Sequence, residues 1–177
     1  MKKLIFTLTI LGLISAFLLA FVYQWTTPLI EEHQERIRKE AIMEVLPESD
    51  SYQEVEKNGL IFYEGNIDNE IAVRVSGNGF QGEIVLMIGT NPVEGIIYGV
   101  RVLDHSETPG LGANITSERF QSNFQNKPFG DYDLVKRPIN NDNEVEAIAG
   151  ATISSENMTD IIEKAIEDIK QAYGGGF

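Results

Sequence analysis

With 177 residues, 23% of them charged, the chain has room for one globular domain and an appendage. A formal net charge of -13 speaks against nucleic acid, because no basic patch is left to neutralise phosphates. There is no cysteine, which excludes disulfides, thiol chemistry and cysteine-ligated iron–sulfur clusters, and the two separated histidines, His33 and His105, do not compose a metal site. Any redox work therefore rests on an organic cofactor.

Lys2 and Lys3 precede an uncharged, mostly apolar run over residues 4–23. At helical rise a run of that length covers roughly 30 Å, the hydrocarbon thickness of a bilayer. A cleaved signal peptide is the rival reading, but such peptides carry apolar regions of only about 7 to 15 residues. Tyr23 and Trp25 suit an interfacial belt, which favours a retained anchor. The two lysines lie before the span and the next lysine or arginine is Arg36, so the positive-inside rule predicts a cytoplasmic N-terminus. The main domain is then extracytoplasmic, and all 27 acidic residues follow the span. The expected division is 1–26 anchor, 27–47 helical stalk broken off at Pro47, and 48–177 domain.

Residues 48–69 are polar and turn-rich, with one strand candidate at 60–63. Three strands follow: 71–75, closed by Ser76-Gly77-Asn78-Gly79; 82–89, apolar enough to be central; and 96–103. Their short turns imply antiparallel pairing. Strands followed by separate helices define an α+β class. Residues 104–112, Asp-His-Ser-Glu-Thr-Pro-Gly-Leu-Gly, form a loop able to turn sharply and expose amides. A connector into a helix at 117–124 is its bland reading. In a binding role Leu111 packs on a flat ring, while Thr108 and the glycine amides bond the ring's polar edge. A further strand candidate lies at 132–135.

Residues 145–155, Val-Glu-Ala-Ile-Ala-Gly-Ala-Thr-Ile-Ser-Ser, place three small residues and three hydroxyls where a helix begins. That helix is marked by Met158, Ile161, Ile162, Ala165, Ile166, Ile169 and Ala172 on one face and is ended by Gly174 to Gly176. Two readings stand side by side. One is a tight turn with a Ser/Thr cap. The other is a phosphate site at the positive end of the helix, with Thr152 in or beside the anion.

Taken together, His-Ser-Glu-Thr-Pro-Gly-Leu-Gly at 105–112 and Glu-Ala-Ile-Ala-Gly-Ala-Thr-Ile-Ser-Ser at 146–155 resemble the FMN-binding family of Rnf-type electron transport complexes. The C subunit of the sodium-pumping NADH:quinone reductase is similar too. The resemblance extends to the N-terminal span and to Gly-Asn-Gly-Phe-x-Gly at 77–82, and the small size and His105-x-Glu107-Thr108 form look more like the Rnf G subunit. It implies an antiparallel-sheet FMN-binding domain with a C-terminal amphipathic helix. It also implies FMN esterified through its phosphate to Thr152, with Gly150, Ala151, Ile153 and Ser154 around the phosphate. Glu107, Thr108, Gly110 and Leu111 are then expected at the isoalloxazine. Where the family usually has Ser or Thr this chain has Ala149, and Glu146 replaces the usual Asp.

Thr152 has no evident base of its own, so the resemblance implies a separate flavin transferase as maturation partner. It also implies other membrane subunits of an Rnf-type complex that couples ferredoxin–NAD redox to ion movement. Alone, the chain is expected to turn over nothing. A membrane-anchored sensory module and a stand-alone flavin carrier are the alternatives at this stage.

Overall fold

The computed structural model describes residues 2–174, which divide at residues 37 and 38 into two compact units. The first unit is helical and belongs to α1, Lys2–Val45. This helix is long and apolar enough near its start to cross a membrane, and its apolar window is not buried by protein. Pro28 lies inside this helix. Proline removes one ladder donor. The carbonyl left without that donor is Gln24's, and in the turn before it Thr26 and Thr27 direct their hydroxyls to the carbonyls of Val22 (2.9 Å) and Tyr23 (2.7 Å).

The second unit holds a six-stranded sheet in sequence order: β1 Tyr52–Lys57, β2 Leu60–Gly65, β3 Ile71–Asn78, β4 Glu83–Asn91, β5 Ile96–His105 and β6 Lys127–Pro128. Every pair is antiparallel, as the short turns require. The expected α+β class, with an apolar N-terminal helix and a C-terminal helix over an antiparallel sheet, is the one observed. The edge strand β1 was not foreseen. Its sequence, Tyr-Gln-Glu-Val-Glu-Lys, carries three charges and alternates weakly in burial, as suits an exposed edge that must not template another chain.

Strand β4 is buried along nearly its whole length because both sheet faces are covered. On one side Ile84, Leu86 and Ile88 join the core formed with Phe62, Ile115, Phe124, and Met158, Ile162 and Ile166 of α3, Thr152–Tyr173. On the other, Met87 packs with Ala41, Ile42, Val45, Leu46, Tyr63 and Ala72. The last turns of the predicted stalk are thus part of the domain's core. Gly174 closes α3 in a left-handed conformation (φ 64°), while Gly175 and Gly176 lie outside the described residues.

The helix expected at 117–124 is shorter than its pattern suggested, an α-turn Glu118–Gln121 (α2) flanked by 3-10 turns at Gly112–Thr116 and Ser122–Phe124. The strand expected at 132–135 forms as β7, Asp133–Val135, but pairs in parallel with β8, Glu144–Glu146. This differs from the antiparallel rule of the main sheet. Side chains hold the connection at 136–143. Arg137 forks onto Glu144 at 2.6 and 2.8 Å, and Asn140 N–H and the Asn141 amide donate to the same carboxylate. The Arg137 bonds hold the Glu144 carboxyl below its ordinary range. Behind it, buried Lys127 donates to the Glu144 carbonyl at 2.7 Å, and burial lowers the Lys127 ammonium's pKa.

Candidate functional site

The stretch 148–155 folds as a turn running straight into α3. Ala151 N–H bonds the Ile148 carbonyl (3.0 Å), with Gly150 at φ 80° in the third position. That is the geometry of a type II turn, which demands a residue tolerant of positive φ. Ser155 fastens the turn from inside: its hydroxyl accepts from Ile148 N–H and donates to the Ala151 carbonyl, both at 3.0 Å. Alanine in place of Gly150 meets only the tip of Leu111, at 3.4 Å, so its cost is conformational rather than steric. We expect Gly150→Ala to lose about 1–2 kcal/mol, and Gly150→Asn less, because Asn visits the left-handed region more readily. Thermal unfolding of the three proteins tests that order.

The two readings of the stretch are distinguished by its capping. Ala151 is the residue before the helix, and no side chain caps the first turn. No acidic residue lies in that turn either. The Ser/Thr-cap reading therefore fails at this end, and the amides of Thr152, Ile153 and Ser154 begin the helix without a side-chain acceptor. The three hydroxyls have different fates. Ser154 is 3% exposed and donates to Glu107, and Ser155 is fully buried and used by the turn. Thr152 is half-buried, and among the described residues its hydroxyl has no hydrogen-bond partner. It is the one reachable hydroxyl of the three.

A cleft of about 510 Å³ opens beside Thr152, lined in part by Arg119, Phe120, Lys136, Glu146, Ile148 and Gly150. Its size falls within the ordinary range of small-ligand sites. Arg119 bonds Glu146 at 2.7 Å, an exposed pair of small energetic weight, and places a guanidinium at the rim of a strongly acidic protein. Glu146 N–H in turn bonds the Asn123 side chain (3.1 Å), which sets the register of β8. Arg119 and Lys136 carried no signal in the sequence. They lie 16 or more residues from Thr152, and only the fold brings them to the cleft.

The other expected site residues separate into two groups. Leu111 is 48% exposed and sits against Gly150, with Thr108 and Gly110 exposed in the same loop. Thr108's carbonyl is occupied by the amides of Leu111 (3.2 Å) and Ala113 (3.1 Å), which close the loop on itself. Ile153 is exposed beside Thr152, and Ala151 is buried. Glu107 does not face outward. It is 5% exposed and turned inward, its carboxylate accepting from three protein donors.

An uncapped helix start, an accessible threonine, two cationic side chains and an exposed leucine on a closed loop suit a ligand with a phosphate at one end and a flat ring at the other. An FMN-binding domain spans residues 79–167, from Gly79 just after β3 into α3, so the fold and site define a flavin-binding α+β domain. The chain is 35% identical to the G subunit of the ion-translocating oxidoreductase complex of Methanosarcina acetivorans, covering 97% of this chain and 96% of that one. It is 30% identical to the G subunit of the proton-translocating ferredoxin:NAD(+) oxidoreductase complex of Clostridium ljungdahlii, over 95% and 91%. The chain belongs to this family of FMN-binding G subunits. The fold is shared with Shewanella oneidensis NqrC, at a TM-score of 0.59 and 20% identity over 75% of this chain and 73% of that one.

Proposed function

We propose that this protein is an electron-transfer subunit that carries FMN covalently, through its phosphate, on Thr152, within a membrane-bound ion-translocating ferredoxin–NAD oxidoreductase complex. The observation that carries the reading is the accessible Thr152 hydroxyl at the uncapped start of α3, beside the cleft, in a chain matched nearly end to end by G subunits. First-turn amides and the helix dipole stabilise the phosphate's retained charge, with Gly150 and Ala151 leaving it room and Ile153 and Ser154 contributing backbone N–H groups. Thr108, Gly110 and Leu111 border the ring, Leu111 against its face. Bound there, FMN supplies the electron-carrying ring.

Installation exchanges the Thr152 Oγ–H bond for an Oγ–P bond, and a separate flavin transferase takes the proton and expels the donor's leaving group. Residues 4–23 anchor the protein as a single span, with the N-terminus cytoplasmic, residues 27–47 as its helical continuation and the domain from 48 onward outside. Its partners are the other membrane subunits of the complex. Lys2 and Lys3 before the span, and no lysine or arginine between them and Arg36, support that orientation.

The test is the intact mass of the full chain from a host with and without a flavin transferase, followed by fragmentation of the modified peptide. The expected result is a transferase-dependent flavin adduct on the peptide containing Thr152. An unmodified protein, under conditions where the transferase modifies a control substrate, defeats covalent attachment.

A further inference from the structure

Three sequence motifs far apart in the chain meet on one carboxylate. Glu107 Oε1 accepts from the amides of Phe80 (2.6 Å) and Gln81 (3.2 Å), in the turn between β3 and β4. Its Oε2 accepts from Ser154 Oγ, at 2.7 Å, in the first turn of α3. The glycines around it are spacing elements. A Cβ on Gly79 would overlap Oε1, and one on Gly112 would overlap Oε2 and stand 2.6 Å from Ser154 Oγ. Glu107's own amide is held by His105 Nδ1 at 3.1 Å. The carboxylate thus fixes the β3–β4 turn, its own loop and the helix start relative to one another. It is offset against burial by three donors, as a buried anion requires.

Ser154 is two residues from Thr152. We propose that Glu107 is a positioning residue for Thr152: by clasping Ser154 it sets the angle at which the Thr152 hydroxyl is presented for flavin transfer. The proposal rests on the flavin reading above. The transfer it serves is redox-neutral. The Thr152 Oγ–P bond forms, the bond from phosphorus to the leaving phosphate of a flavin dinucleotide-type donor breaks, and the threonine proton passes to the transferase. Misplacing a reacting group by about 1 Å costs on the order of a hundredfold in rate. The clasp therefore acts on the rate of modification while leaving the hydroxyl itself intact.

Ser154→Ala removes one of the three bonds, and Ser154→Thr restores the hydroxyl. Each full-length protein is purified unmodified, then given transferase and donor, and followed for flavin incorporation, thermal unfolding and amide exchange. For Ser154→Ala we expect a folded protein, on the order of ten- to a hundredfold slower incorporation, and faster exchange of the Ala151 and Ser155 amides. Ser154→Thr should recover most of the rate. Glu107→Gln keeps an acceptor for Phe80 and Gln81 and turns inward an NH₂ that can donate to Ser154 Oγ, so it should retain most of the rate. A wild-type rate in Ser154→Ala overturns the proposal, whatever happens to stability. If wild type itself is never modified while a control substrate is, covalent attachment fails. The clasp is then judged by exchange alone: accelerated Ala151 and Ser155 amides in Ser154→Ala support it, and unchanged ones overturn it.

Discussion

Thr152→Ala, expressed beside an active flavin transferase, should acquire no flavin and show no flavin fluorescence in a denaturing gel, while unfolding within about 0.5 kcal/mol of wild type. The loss is complete because no neighbouring hydroxyl can substitute. Ser154 and Ser155 are 3% and 0% exposed, and both donate to acceptors that hold the site together. The small stability change follows from the position. Thr152 begins α3, is half-buried and has no hydrogen-bond partner among the described residues, and alanine has the better helix propensity. Thr152→Ser should still be modified, since the reacting oxygen remains. A flavin adduct persisting in Thr152→Ala would move the attachment point elsewhere and remove the basis for the reading of this helix start.

Gly89→Ala should be the most damaging single methyl in the fold. Gly89 sits on β4, on the face covered by the end of α1, and an added Cβ would overlap the carbonyl oxygen of Val45 and lie 2.7 Å from its Cβ. That neighbour is backbone and has no rotamer to yield, so the helix end must move off the sheet, loosening the cluster of Ile42, Leu46, Tyr63 and Met87. Overpacking of a core costs about 1–3 kcal/mol even where side chains can adjust, and a backbone collision belongs at or above the top of that range. At about 2–4 °C per kcal/mol for a chain of this size, the midpoint should fall by roughly 6–12 °C or more. Gly99 supplies the control. It pairs with Gly89 across β4 and β5, yet a Cβ there meets nothing within 4 Å. Gly99→Ala should be neutral or stabilising by up to about 1 kcal/mol, through lost chain entropy in the unfolded state. Equal midpoints for the two variants would mean that α1 does not seat against Gly89 as described.

What local sequence could state, it stated well, because burial on one face leaves a period in the chain. The 3-4-3 recurrence from Met158 to Ile169 is the buried face of α3, and the unbroken apolar run of β4 reports a strand covered on both sides. The uncharged stretch after Lys3 marks a helix long enough for a bilayer, and Gly150 adopts the positive φ its turn demands. Elements stabilised by neighbours rather than by their own pattern were not legible. Strand β1 is nearly as polar as a loop and exists by pairing with β2. The stalk's last turns are buried only because the sheet's outer face needs a cover. Strands β7 and β8 pair in parallel because Glu144 gathers the donors of the intervening loop.

The site divides in the same way. Its threonine and its turn are local features and could be named from residues 149–152. Which hydroxyl is reachable, where Arg119 and Lys136 stand, and the inward turn of Glu107 were decided by contacts across the fold. The Ser154–Glu107 bond spans 47 residues. A side chain's direction follows from what the fold places around it, and for Glu107 that is two glycines without side chains and three donors from segments that meet only once the sheet and α3 are assembled.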